Sequence, residues 1–249
     1  MKQAVERLLG GLIVSCQAYD DTPFYGSQYM QKFAQCAQMG GARGIRACWP
    51  QDVAAIRAVT DLPIIGINKD MLNDQDHDAF YKRLIITPTL ESASEVIDAG
   101  ADIVAVESAE TDFCSYEYLT SLLNDIRNKY PEVAIMADLI APETGLKLAR
   151  DGLVDILSTT LSAFDPRKKD LHEPDYEMIR YLKENTNLPV NAEGHVWEAD
   201  EYVRCLEAGA DMVTIGSAIT RPHLITRRFV DAGEKWLREG TASETERKE

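Results

Sequence analysis

A repeated punctuation constrains this chain more than any other feature. DAGADIVAVES (98–108) and EAGADMVTIGS (207–217) are nearly superimposable, and MGGARGIRAC (39–48) and RDGLVDILSTT (150–160) are looser copies. In each, a helix stops at a glycine able to adopt the left-handed cap, and a β-branched run begins two or three residues later. TDLPIIGINK (60–69) and TNLPVNAEGH (186–195) form a second matched pair, in which proline blocks helix continuation and opens a strand. Helix and strand alternating this regularly imply parallel strands joined by helical crossovers.

Extended along the chain, the pattern places strands near 12–17, 42–47, 64–68, 102–107, 133–138, 154–160, 189–193 and 212–216. Helices are expected at 27–39, 50–59, 90–99, 115–129, 142–151, 174–185, 197–208 and 221–238. Eight such units in 249 residues fit a single-domain TIM (β/α)8 barrel over residues 1–239. No GxGxxG follows the first strand, which argues against a dinucleotide-binding sheet. LIITPT (84–89) reads as a ninth short strand inside an enlarged loop after the third strand, about 70–89, whose 70–83 part leaves two readings open, a lid over the cavity or a solvated excursion. Residues 240–249 read as a polar, disordered tail.

The formal charge of −15 disfavours a nucleic acid or an anionic membrane surface as partner, although placed arginines and backbone amides can still hold a small anion. Five cysteines without CxxC spacing indicate reduced thiols and a cytoplasmic protein. Residues 1–18 superficially resemble a lipoprotein signal, but Glu6 and the Gly10-Gly11 break favour a first barrel strand. No run approaches the ~18 apolar residues of a membrane span. Trp236 and Leu237 on the last helix point to a homodimer.

In such a barrel the active site lies at the carboxyl ends of the strands. Those ends carry Gln17, Arg46, Lys69, Glu107, Asp138, Ser158 with Thr159 and Thr160, Glu193, and Ser217 after Gly216. A lone charge at a strand end is usually solvated or ion-paired; a full ring of polar ends converging on one cavity is harder to assign to structure alone. Lys69 and Glu193 follow the matched prolines Pro63 and Pro189 by even offsets, so alternation turns both the same way relative to the barrel axis. They belong to strands three and seven, on opposite walls. A base and an acid so placed could take a proton from one face of a stereocentre and return one to the other.

GHVWEAD after strand seven and IGSAITRPHL after strand eight bring small residues, helix starts and Arg221 to the usual phosphate position of the fold. Ordinary capping by Thr220 and Pro222 is compatible with that role. The four histidines show neither HxxxH nor HExxH spacing, and no catalytic metal is expected. A nucleophile elbow is absent, and alternation turns Cys16 away from the cavity.

The series LIVSCQA, GIRA, IIGINK, ITPT, MADL, STTLS, AEG and GSAITRP, in order from about residue 10 to 230, resembles that of N-acetylmannosamine-6-phosphate 2-epimerases. The resemblance implies a cofactor-independent barrel isomerase that interconverts N-acetylmannosamine 6-phosphate and N-acetylglucosamine 6-phosphate in sialic acid catabolism. It implies Lys69 as the base at C2 and Glu193 as the opposing acid. Gln17, Arg46, Asp138 and Thr160 would bind the sugar, and Gly194, Gly216, Ser217 and Arg221 the phosphate. A base must be neutral, so Lys69 is expected to have a pKa lowered by burial and by Arg46, while Glu193 should keep a proton.

Three positions depart from the family pattern: Glu107, His195 and Phe164 stand where Asp, Arg and Tyr are expected. They surround the sugar and phosphate, and keep open a second reading, a non-catalytic or altered-specificity sugar-phosphate-binding paralogue. A Schiff-base lyase using Lys69 as nucleophile is a third.

Overall fold

The computed structural model describes residues 1–70, 82–168 and 171–246, with residues 239–246 described by backbone alone. Eight parallel strands close into a barrel in chain order: β1 (Gly11–Cys16), β2 (Gly44–Cys48), β3 (Ile64–Ile67), β4 (Ile103–Ser108), β5 (Ala134–Leu139), β6 (Ile156–Ser158), β7 (Val190–Glu193) and β8 (Met212–Ile215). Around them run α1 (Gln3–Leu8), α2 (Ser27–Met39), α3 (Pro50–Arg57), α4 (Leu90–Asp98), α5 (Tyr116–Lys129), α6 (Pro142–Arg150), α7 (Tyr176–Asn185), α8 (Ala199–Glu207), α9 (Ser217–Thr220) and α10 (Pro222–Glu246). This is the TIM barrel expected from the repeated punctuation.

Strand alternation sorts the core into two layers. Val104 and Val106 of β4 pack outward with helix residues such as Val96 and Leu123, and Cys16 belongs to the same layer. Ile103 and Ala105 pack inward with Ile13, Ile65, Met136, Ile156 and Met212. The six-residue α1, absent from the sequence reading, plugs the amino-terminal mouth: Val5 and Leu8 are fully buried in the inner layer. Its close seat requires Gly44, since a Cβ there would clash with Leu8 Cδ2.

The enlarged loop alters the wall beside β3. β3 pairs with β4 only through Ile65↔Ile103 and Gly66↔Val104. Beyond that point Ile85–Thr87 wedges between the two: Lys69 and Ile86 form an antiparallel bridge, closed by Thr87 N–H to Asn68 O (2.9 Å) and Asp70 N–H to Ile85 O (3.0 Å). On its other side Ile86 O accepts from Glu107 N–H at 3.0 Å. The choice between lid and solvated excursion for 70–83 falls largely on residues 71–81, outside the described residues.

α10 continues to Glu246, past residue 239 where the sequence reading begins a tail. A single Gly240 costs a helix only about 1 kcal/mol, and the Ala- and Glu-containing stretch after it can carry intrahelical hydrogen bonds. Among the described residues no helix is long and apolar enough to cross a membrane.

Candidate active site

A cavity of about 340 Å³ opens at the carboxyl ends of the strands, and Gln17, Lys69, Thr160, Glu193, Gly194, Gly216, Ser217 and Arg221 all line it. Each is delivered by a strand end or the turn after it. Gln17 follows β1, Lys69 lies two residues past β3, Thr160 two past β6, and Glu193 closes β7. Gly194 then turns the chain with φ +110°, a conformation that only glycine enters cheaply. Ser217 opens α9, and Arg221 joins α9 to α10.

Arg46 and Asp138, expected among the sugar-binding residues, are buried beneath the floor, at 1% and 0% exposure. Arg46 grips Asp138 with both terminal nitrogens, at 3.1 and 2.6 Å, and reaches Glu193 Oε2 at 3.1 Å. Thr160 Oγ1 donates to Asp138 Oδ1 at 2.7 Å and lies 3.3 Å from Glu193 Oε2. Below, Thr214 donates to Asn191 Oδ1 (2.9 Å), and Asn191 donates to Ser158 Oγ (2.8 Å). The Glu193 backbone is pinned by Thr159, whose hydroxyl donates to Glu193 O (2.9 Å) and accepts from its N–H (3.0 Å). The carboxyl is therefore held from beneath with one face toward the cavity.

Burial pushes the Glu193 pKa up to about 7, with Asp138 adding to the rise and Arg46, Lys69 and Thr160 opposing it. This is the direction expected for a group that keeps a proton available. Lys69 goes against expectation. Burial is the strongest influence and lowers its pKa, as does Arg46, but Tyr19 and Cys48 outweigh them and the net direction is upward. The cause that operates at neutral pH is the hydrogen bond from the Lys69 ammonium to the Tyr19 hydroxyl, 2.6 Å. The Cys48 thiol, pushed up to about 12 by burial, is uncharged there. Lys69 thus rests as an ammonium, because Tyr19 reaches it from the β1–α2 loop, a contact no sequence spacing reveals.

A family profile described as "Putative N-acetylmannosamine-6-phosphate epimerase" matches residues 30–235. A relative from Caldanaerobacter subterraneus subsp. tengcongensis, named "Putative N-acetylmannosamine-6-phosphate 2-epimerase", is 41% identical over 91% of this chain and 92% of its own length. The chain belongs to this family of carbohydrate epimerases. A like-named protein from Clostridioides difficile is 36% identical over 92% of this chain and 99% of its own length. The solved structure of the N-acetylmannosamine-6-phosphate 2-epimerase from Clostridium perfringens superposes with a TM-score of 0.81 at 34% identity, covering 92% of this chain and 95% of that one.

Of the three departures within this epimerase-family chain, His195 alone lines the cavity. It has φ +57° and is half-buried; burial and then His172 lower its pKa, so it offers a neutral imidazole where an arginine would offer charge. Phe164 ends a 3₁₀ turn, Ser162–Phe164, and packs on the inner core. Glu107 is fully buried on β4, and its Oε2 accepts from Ile85 N–H (2.7 Å) and Ile86 N–H (3.0 Å). It therefore staples the wedge that pairs with Lys69, a role the strand-end list could not assign.

Burial raises the Glu107 pKa from 4.5 to about 7, against the opposing pull of the two amides. A carboxyl whose folded pKa lies above its unfolded value favours the fold while protonated, and that contribution is lost as pH rises from about 4.5 to about 7. Glu107→Gln keeps an acceptor and removes the charge. Its stability is expected to match wild type at pH 5 and exceed it by about 3 kcal/mol at pH 8. Urea titrations at the two pH values measure this; an equal offset at both would contradict it.

Proposed function

We propose that this chain interconverts N-acetylmannosamine 6-phosphate and N-acetylglucosamine 6-phosphate by moving the C2 proton across the open-chain sugar, with no cofactor. The observation that carries the reading is one amine and one carboxyl, Lys69 and Glu193, lining one cavity from β3 and β7, opposite strands of the ring. The Gly194, Gly216, Ser217 and Arg221 end beside them suits a phosphate.

C2–H lies α to the C1 aldehyde. As the base takes the proton, the C–H electron pair becomes a C1–C2 double bond and the carbonyl pair moves onto O1, giving an enolate. The acid then returns a proton to the opposite face of C2, and the carbonyl re-forms. Gln17 and Thr160 hold the sugar from the cavity wall. Arg46 and Asp138 act from below by fixing the Glu193 carboxyl and placing positive charge under the developing enolate.

In one direction Lys69 is the base; in the other, Glu193 is. The two starting states, amine with carboxylic acid and ammonium with carboxylate, contain the same number of protons, so both directions share one pH dependence. kcat/KM is expected to rise as Glu193 ionises near pH 7 and to hold until Lys69 loses its proton. Proton NMR in D₂O with N-acetylmannosamine 6-phosphate tests the reaction: C2-deuterated N-acetylglucosamine 6-phosphate should accumulate. Binding by calorimetry without deuterium incorporation would instead favour the altered-specificity reading, which the neutral His195 at the cavity supports, and other acyl-hexosamine 6-phosphates would then be assayed.

We place the reaction in sialic acid catabolism in the cytoplasm, a reducing compartment suited to five free thiols. We also propose a homodimer through α10, whose Phe229, Val230, Trp236 and Leu237 recur at helical spacing and are 76%, 48%, 72% and 59% exposed. Sedimentation should give twice the chain mass, and Trp236→Glu should give the single-chain mass; a wild-type monomer would end the idea.

A further inference from the structure

Tyr19 is 3% exposed and lies behind the cavity lining, yet it touches both halves of the candidate site. Its hydroxyl accepts from the Lys69 ammonium at 2.6 Å, and the Arg221 guanidinium stands over its ring at 5.1 Å. Lys69 Nζ itself is 5.2 Å from the ring centre. Trp49 meets the ring edge-on at 5.9 Å and donates its indole N–H to Lys69 O at 3.0 Å. Backbone and side chain of Lys69 are therefore both set by this aromatic pair. The other titratable groups acting on Lys69 are Arg46 and Cys48 from β2, Glu107 from β4 and Glu193 from β7.

We propose that Tyr19 is a positioning residue that ties Lys69 to the phosphate end of the cavity, its ring seating Arg221 and its hydroxyl fixing the amine. The inference rests on the reading of Lys69 as proton-transfer group and Arg221 as phosphate ligand. Binding energy from a remote, non-reacting group raises the rate of the chemical step when it orients the reacting groups. A single rigid side chain with two torsions, held by Trp49, can transmit that orientation from the arginine to the amine. An occupied phosphate end fixes Arg221 over the ring, and the ring fixes the hydroxyl against Lys69. A substrate lacking the phosphate leaves this linkage unsupported.

Tyr19→Phe, which removes only the hydroxyl, is the test, run beside wild type and Lys69→Met. With N-acetylmannosamine 6-phosphate, Tyr19→Phe should lower kcat at least about tenfold, the scale of one hydrogen bond to a charged group, and hold KM within about twofold. The Lys69 ammonium, followed by ¹³C NMR of its Cε, should titrate about one pH unit lower than in wild type, a readout that general loosening would not move in that direction. Unphosphorylated N-acetylmannosamine supplies the second arm. Inorganic phosphate should accelerate its C2 exchange in wild type and not in Tyr19→Phe, although phosphate still competes equally with the 6-phosphate substrate in both. Tyr19→Leu, lacking the ring as well, should also weaken that competition. Unchanged kcat in Tyr19→Phe, an unmoved Lys69 titration, or no phosphate acceleration in an active wild type would each overturn the inference while leaving the proposed reaction intact. Full activity in Lys69→Met would instead overturn the reading on which it rests.

Discussion

Lys69→Met should abolish epimerisation, lowering kcat by about three orders of magnitude, the scale of a lost general base or acid. Methionine keeps the unbranched stem and leaves the backbone bridge to Ile86 in place, and the phosphate end is untouched; KM should stay within about twofold. The informative part is what remains. With Glu193 still in place, one epimer should continue to exchange its C2 hydrogen with solvent without inverting, because Glu193 can remove and return a proton on its own face. Glu193→Gln should show the mirror image, exchanging only the other epimer through Lys69. Each single variant thus reports one face of C2. Deuterium NMR of both epimers with both variants decides it, and exchange of both epimers by Lys69→Met would remove Lys69 from the mechanism.

Arg46→Met carries the largest expected effect on stability. Arg46 is the only cation within ion-pair distance of both Asp138 and Glu193 among the described residues, at 2.6 and 3.1 Å. Removing one partner of a buried pair leaves uncompensated charge, at a cost of about 3–5 kcal/mol. For a domain of this size each kcal/mol is roughly 2–4 °C, so the melting midpoint should fall by about 10 °C. Glu193 loses the contact that favours its ionised form, so its pKa should rise above its present value of about 7. Adding Asp138→Asn should restore part of the stability, because a neutral amide no longer needs the guanidinium. If the double variant is less stable than the single one, the loss comes from packing of the arginine stem and not from stranded charge.

Much of this architecture was written in local punctuation. Glycine caps such as Gly100 and Gly209, both with positive φ, and the strand-opening Pro63 and Pro189 identify crossovers because a helix stop is a backbone event decided within a few residues. Lys69 and Glu193 were legible for the same reason: even offsets from matched prolines fix which way a side chain turns. What escaped depends on contacts remote in sequence. α1 is too short to announce itself by periodicity, and its existence follows from Leu8 fitting over Gly44. Arg46 and Asp138 read as cavity residues because strand ends do not show depth. The upward direction of the Lys69 pKa runs against the sequence because burial and Arg46 follow from neighbouring strands, whereas the Tyr19 hydroxyl arrives across a loop fifty residues away.

The wedge at Ile85–Thr87 gives the barrel wall an unusual cooperative unit. With only two residue pairs joining β3 to β4 directly, the amides of Asp70, Thr87 and Glu107 are protected by carbonyls within the wedge and its flanks, and that of Ile86 by the Glu107 carboxyl. Such amides open together, so hydrogen exchange there measures one local unfolding free energy and not four. That energy belongs to the same segment that carries Lys69, which makes solvent exchange at Thr87 a reporter of how firmly the amine is held, readable in the absence of substrate.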